Sequence, residues 1–172
     1  MTTFSVTAPH EIDHIEAQVL AAADRVPTIL AAHSGNGLDL LRRMKFDALG
    51  WHPFEGRALN LIEQVNQTFS TLVALKAARI LLGRHPDANG YRLILGPYKG
   101  TDIESIVPGL VAAEVFAAVS PDSNDKLRDD IERISQNTAR HRYVLFHAPR
   151  CAEGRYNSRW CVEGIEAWAI NV

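Results

Sequence analysis

The chain is short of cysteine, of net charge and of long apolar runs, and each shortage removes a class of protein. Its 172 residues include two cysteines, Cys151 and Cys161. Two thiols cannot make the disulfide framework of a small secreted domain, so a reducing compartment is expected. The formal net charge is −2. A protein that grips nucleic acid mainly by its overall charge is more basic than this, so any such role needs a local basic surface. No stretch approaches the ~18 consecutive apolar residues of a membrane span, and no membrane partner is expected. The opening MTTFSVTAPHEIDHIE has neither the basic n-region nor the apolar h-region of a signal peptide, which makes the cytoplasm the expected address. The phosphate-cradling GxxxxGK(S/T) and GxGxxG loops are missing as well.

What is present is ordinary for a globular chain. Apolar residues make up 47% and charged residues 22%, and the length suits one domain with a buried core. With no linker, repeat or low-complexity tract, residues 1–172 read as a single domain. Within it, 1–56 form a helical N-terminal extension and 57–172 the core.

Residues 11–24 carry Ile12, Ile15, Val19 and Ala22 at helical spacing, and Pro27 limits that helix. LDLLRRMKF reads as a second short helix, stopped before Gly50 and Pro53. The longest periodic segment is 57–82. Leu59, Ile62, Phe69, Val73 and Ile80 mark one apolar face, and Leu61, Val65, Leu72 and Leu75 another. A helix apolar nearly all round is a central one. Strands follow at YRLILG, at GTDIES (a continuation or a short strand of its own) and at VAAEVFAAV, whose alanines also allow a helix. DKLRDDIERISQN is a helix with Leu127, Ile131 and Ile134 inward, RYVLFHAP a strand, Arg150 to Cys161 a loop, and VEGIEAWAI a last strand. This order predicts a three-layer α/β domain whose mixed central sheet is flanked by helices. The crossover through the helix makes VAAEVFAAV and RYVLFHAP parallel.

One carboxylate stands out. Val111 to Val119 is apolar except for Glu114. An ionised carboxylate buried there without partners costs several kcal/mol, so it is paired, protonated, metal-bound, or on a solvated strand face. Asp102 lies just upstream, and two strands joined by a short turn would set the two acids side by side. Like charges that close raise one pKa, and a divalent cation removes the conflict. Hard oxygen ligands suit Mg²⁺, which takes one or two protein carboxylates and keeps several waters. Asp102 is equally ordinary as a turn residue after Gly-Thr, and Glu104 shares its strand face. Glu63 is the one acid between Arg57 and Leu82. At helical spacing it stacks with Asn66, Gln67 and Ser70, as a polar stripe aimed at a site, as a structural network, or as the helix's solvated edge.

These pieces together resemble the PD-(D/E)XK nuclease superfamily, the restriction-endonuclease-like fold, over roughly residues 57–170. That family's core is a helix, a three-stranded meander, a helix and a strand. Its motif is an Asp opening the second strand and Glu-x-Lys on the third. Asp102 in GTDIES matches the first element and Glu114 in AAEVF the Glu, while Glu63 in NLIEQVNQ matches an acid the family often carries on its first helix. The chain departs from the motif at Phe116, which stands where the lysine belongs, and at Thr101, which stands where the proline does. In some members the lysine comes from the following helix, and here Lys126 occupies its first turn, either for that role or as a surface partner of Asp129 or Asp130. The resemblance implies metal-dependent hydrolysis of nucleic acid, DNA by family habit. Asp102, Glu114 and Glu63 would hold Mg²⁺ or Mn²⁺ with the Val115 carbonyl, Lys126 would act on the phosphate or water, and Gln64 or Gln67 would be a further hydrogen-bonding group. A catalytically silent module of the same fold, binding nucleic acid or a protein partner, is the alternative. Cutting both strands of a duplex would suit a homodimer.

Other groups are weaker signals. Arg140, Arg142, Arg150, Arg155 and Arg159 with Tyr156 and Trp160 interleaved could follow a nucleic-acid backbone, or form a solvated loop. His147, Cys151 and Cys161 lack the four ligands of a structural zinc site. Trp51, His52 and Phe54 read as packing residues.

Overall fold

The structure is a computed structural model that describes residues 2–96, 100–157 and 159–172. In chain order its principal elements are β1 (Thr2–Val6), α1 (Pro9–Ala23), α2 (Val26–Ala31), α3 (Gly37–Phe46), β2 (Gly50–Trp51), β3 (Ala58–Leu59), α4 (Leu61–Arg84), β4 (Tyr91–Leu95), β5 (Ile103–Ser105), β6 (Val111–Ala117), α5 (Lys126–Ser135), β7 (His141–His147), β8 (Gly154–Arg155) and β9 (Ile165–Ala169). Seven strands form one sheet in the order β1-β4-β5-β6-β7-β9-β8, and β2 pairs with β3 as a separate hairpin. The pairs from β1 to β6 are antiparallel. The β6–β7 and β7–β9 pairs are parallel, so the sheet is mixed as expected.

The centre of this sheet is the most apolar run of the sequence. Residues 111–116 are all buried, which is what a strand covered on both faces requires. Side chains alternate along β6. Val111, Ala113 and Val115 join the core built with α1 and α4, through Ile12, Ile15, Val73, Ala77 and Leu81. Ala112 and Phe116 join the core built with α5, through Leu127, Ile131 and Ile134. Helices therefore cover both faces, and the fold is the three-layer α/β arrangement.

The element order α4-β4-β5-β6-α5-β7 is the helix, meander, helix, strand succession expected from the sequence. GTDIES forms its own short strand. The tail from Arg150 contains the two-residue strand β8, and the last strand is shorter than 162–170. Two further differences matter more. Residues 1–56 do not lie outside the core. Thr2–Val6 pairs with β4 along its length, and Ile12 and Ile15 pack in the same cluster as α4. Nor is α4 central throughout. From Thr71 to Leu81 it buries most of its residues, but Ile62, Val65 and Phe69 are 44%, 45% and 44% exposed. Both apolar faces are thus partly open over the first three turns, where Ile62 and Phe69 of one and Val65 of the other face outward while Leu61 is buried. Neither α2 nor α3 has a buried residue.

Local chemistry sets the ends of α4. The Asn60 side chain accepts the Glu63 N–H at 2.8 Å, a standard N-cap. Gln64 is buried and structural. It accepts the Trp51 N–H at 3.0 Å and donates to the Ala22 carbonyl at 2.9 Å, tying the β2–β3 hairpin and the end of α1 to the helix. It is thus not available to a water or phosphate. No helix among the described residues is long and apolar enough to cross a membrane.

Candidate active site

The β5–β6 register pairs Ile103 with Ala113 and Glu104 with Ala112. Continued by one residue, it sets Asp102 opposite Glu114, on the face covered by α5. Asp102 sits at the mouth of the short strand, where its Oδ2 accepts the Val115 N–H at 2.9 Å. The preceding Thr101 is buried, and its hydroxyl accepts from Asn137 Nδ2 at 3.0 Å, so the segment before the acid is fastened to the end of α5.

Glu114 is wholly buried. Its Oε2 accepts from Arg133 Nη1 at 2.8 Å, and its Oε1 is buried without a hydrogen-bond donor. Burial first, and then the negative charge of Asp102, push its pKa up to about 8 against the lowering pull of Arg133. Burial also raises Asp102, opposed chiefly by the Val115 N–H.

A third acid joins from α5. Asp130 has no exposed surface. One oxygen lies 2.6 Å from Lys126 Nζ and 3.3 Å from Arg133 Nη2, while the other is buried without a partner. Desolvation raises its pKa, and Lys126 restrains the rise. Three carboxyls thus share two cations, which leaves one negative charge when all are ionised. The cations are the solvent-facing members, since the side chains of Lys126 and Arg133 are 38% and 46% exposed.

Asp102, Lys126 and Arg133 of this cluster line a cleft of about 400 Å³, where they meet Gln67 of α4 and Phe54 of the hairpin loop, while Glu114 and Asp130 are buried behind them and do not line it. The Lys126 ammonium lies 5.8 Å from the centre of the Phe116 ring, and Phe116 itself lines the cleft.

The structure therefore brings Asp102, Glu114 and Lys126 together. It places Glu63 apart from them. That side chain accepts from Gln67 Nε2 at 3.0 Å on the outer part of α4 and does not line the cleft. Among the described residues no group of three or more His, Cys, Asp or Glu side chains is arranged to hold a metal ion. Glu104 faces Arg92 at 3.8 Å, away from the pair. Arg140 precedes β7 at the end of the parallel strands opposite the cleft, where its N–H bonds the Gly109 carbonyl. Arg142 is a structural clamp. Its Nη1 donates to the Ser135 and Asn137 carbonyls at 3.3 and 3.5 Å beyond α5, and a Cβ on Gly164 would come within 2.8 Å of its Nη2. Arg150 and Arg155 are exposed, and neither lines the cleft. His147 Nδ1 lies 3.0 Å from the Ile170 carbonyl, and both cysteines are free and half-buried.

Asp130 and Arg133 were not read from the sequence as site residues. The signal for Asp130 matches that for Glu114. It is an acid on an apolar face, sharing the inward positions of Leu127, Ile131 and Ile134 at helical spacing. Arg133, three residues on, is the cation such an acid needs.

No family model, no curated protein and no solved structure matches the chain.

Proposed function

We propose that the protein hydrolyses phosphodiester bonds of nucleic acid, with Asp102 and Glu114 holding Mg²⁺ or Mn²⁺ and Lys126 standing in for the motif lysine. The position of Lys126 carries this reading. Its ammonium lies over Phe116, 5.8 Å from the ring centre, so α5 delivers an amine to the strand position that the motif fills with lysine. The order of helices and strands around the pair supports the same assignment.

The donor set suits a hard divalent ion. Two carboxyls stand opposite each other, a buried oxygen of Glu114 lacks a donor, and burial, then the charge of Asp102, raise the pKa of that acid, a cost that a cation would offset. Two carboxylates completed by water are a normal Mg²⁺ site, so Glu63 is not needed. When bound, such an ion polarises a phosphate oxygen and lowers the pKa of water. The rest falls to the chain. The Val115 N–H orients Asp102. Lys126 and Arg133, both part-exposed, turn from their carboxylates to the phosphate and stabilise the charge that grows on its oxygens. Water oxygen bonds to phosphorus as the bond to the leaving sugar oxygen breaks. The water gives up a proton and the leaving oxygen takes one up.

The test is nicking of supercoiled plasmid and of labelled oligonucleotides in Mg²⁺ and in Mn²⁺. Asp102→Ala and Glu114→Ala are each expected to abolish metal-dependent cleavage with the fold retained. Undiminished cleavage in either variant removes that residue from the site.

A second reading has its own observation. Arg133 and Lys126 already lie at 2.8 and 2.6 Å from Glu114 and Asp130, so the cluster is complete as an ion-pair network pinning α5 to β6. The protein would then be a silent module of the same architecture that binds nucleic acid or a protein partner. Calorimetric titration with Mg²⁺ and Mn²⁺ separates the two, because the silent module takes up neither ion.

A further inference from the structure

The shape of the cleft says what form of nucleic acid can enter it. One wall is the loop between β2 and β3, and that wall is fixed. His52 Nδ1 accepts the N–H groups of Phe54 and Glu55 at 3.2 and 3.1 Å. The Phe54 ring packs edge-on against Phe4 with centroids 4.9 Å apart. Glu55 accepts from Thr2 Oγ1 at 3.0 Å and from Arg57 Nε at 2.6 Å. The facing wall is Phe116 with Lys126 and Arg133. The space between them is about 400 Å³, within the range of roughly 300–1,000 Å³ that holds one small molecule. That is room for a nucleotide, and it is far less than the volume of a double helix.

Charge points the same way. Among the described residues the cations lining the cleft are Arg57, Lys126 and Arg133, beside the acids Glu55 and Asp102. Duplex binding rests on neutralising a run of phosphates. Of the exposed arginines of the C-terminal segment, Arg140 lies at the far end of the strands and Arg150, Arg155 and Arg159 lie outside the cleft. The side of the cleft made by α4 instead presents Asn66, Gln67 and Ser70. Amides and hydroxyls read the edges of unpaired bases, and an aromatic wall such as Phe54 offers a surface for their faces.

We propose that the cleft takes a single unpaired strand, with its phosphate at Lys126 and Arg133 and its base against Asn66, Gln67 and Ser70. This inference rests on the phosphodiesterase reading for its choice of ligand. A single strand needs one cut and one site, so a homodimer is not required.

The experiment is fluorescence anisotropy with a labelled mixed-sequence oligonucleotide, in DNA and RNA form, either alone or annealed to its complement. Cleavage of the same four substrates is followed in Mg²⁺ and Mn²⁺. The single strand is expected to bind about tenfold more tightly than the duplex. Asn66→Ala is expected to weaken single-strand binding roughly threefold to tenfold with an unchanged melting curve. Equal or tighter duplex binding, or no binding to either form, overturns the inference. Cleavage confined to duplex overturns it while sparing the phosphodiesterase reading. Tight single-strand binding that Asn66→Ala weakens, without cleavage, supports it and retires that reading.

Discussion

Arg133 Nη1 stands 2.8 Å from Glu114 Oε2, and the carboxyl it meets is wholly buried. This contact joins α5 to the central strand and opposes the rise that burial and Asp102 impose on the Glu114 pKa. Removing a partner from a buried pair costs about 3–5 kcal/mol. Arg133 is 46% exposed, so solvent reaches the gap and Arg133→Ala is expected to cost less, about 1–3 kcal/mol by urea denaturation. If Asp102 and Glu114 hold a divalent ion, added Mg²⁺ raises the melting temperature of Arg133→Ala more than that of the parent. Equal shifts in the two proteins count against the metal site.

The acid pair makes stability depend on pH in a definite direction. Glu114 is raised from 4.5 to about 8 in the folded protein, so the folded state holds a proton that the unfolded state has released. Its contribution to stability is complete below about 4.5 and is lost as pH rises to about 8. Asp102 and Asp130 are raised too and act in the same sense. Glu114→Gln should therefore flatten the decline in urea midpoint between pH 5 and pH 9 without metal. A slope equal to the parent's places the ionisation elsewhere.

Lys126→Ala would separate the proposed catalysis from the proposed metal binding. Lys126 touches Asp130 at 2.6 Å and is not placed among the ion's ligands. Cleavage is expected to fall by roughly a hundredfold, the scale of losing one charge-stabilising donor, with the calorimetric affinity for Mn²⁺ unchanged. Full activity would return Lys126 to a surface ion pair.

Gly50 and Gln64 give a structural prediction away from the acids. A Cβ on Gly50 would fall 2.5 Å from Gln64 Oε1 and 3.2 Å from the Leu59 carbonyl. Gly50→Ala must displace the amide that bonds Trp51 and Ala22. Gln64→Leu loses both bonds outright, at about 2–4 kcal/mol by chemical denaturation. Neither change should alter metal affinity by more than about twofold, since Gln64 does not line the cleft.

The core was largely legible because its signals are local. Val111 to Phe116 reads as a buried strand, and Leu127, Ile131 and Ile134 read as an inward helical face. Thr2–Val6 was not legible as a strand. An edge strand with one buried residue has little pattern of its own, and pairing with β4 is what defines it. In the site, Asp102 and Glu114 followed from an acid in an apolar run and from strand register. Glu63 did not join them, because helical spacing fixes which residues share a stripe but not how far along the sheet that stripe lies. The arginines of the C-terminal segment show the same limit. Composition groups them, whereas register sends Arg140 to the wrong end of β7 and packing uses Arg142 to hold the end of α5.

The two helices without a buried residue, α2 and α3, contribute nothing to either apolar cluster and should form a weak cooperative unit. Residues 26–46 can open without breaking into either apolar cluster, so their backbone amides should exchange with deuterium long before those of β6. A protease offered the native protein should nick there first and leave the sheet and its acids standing.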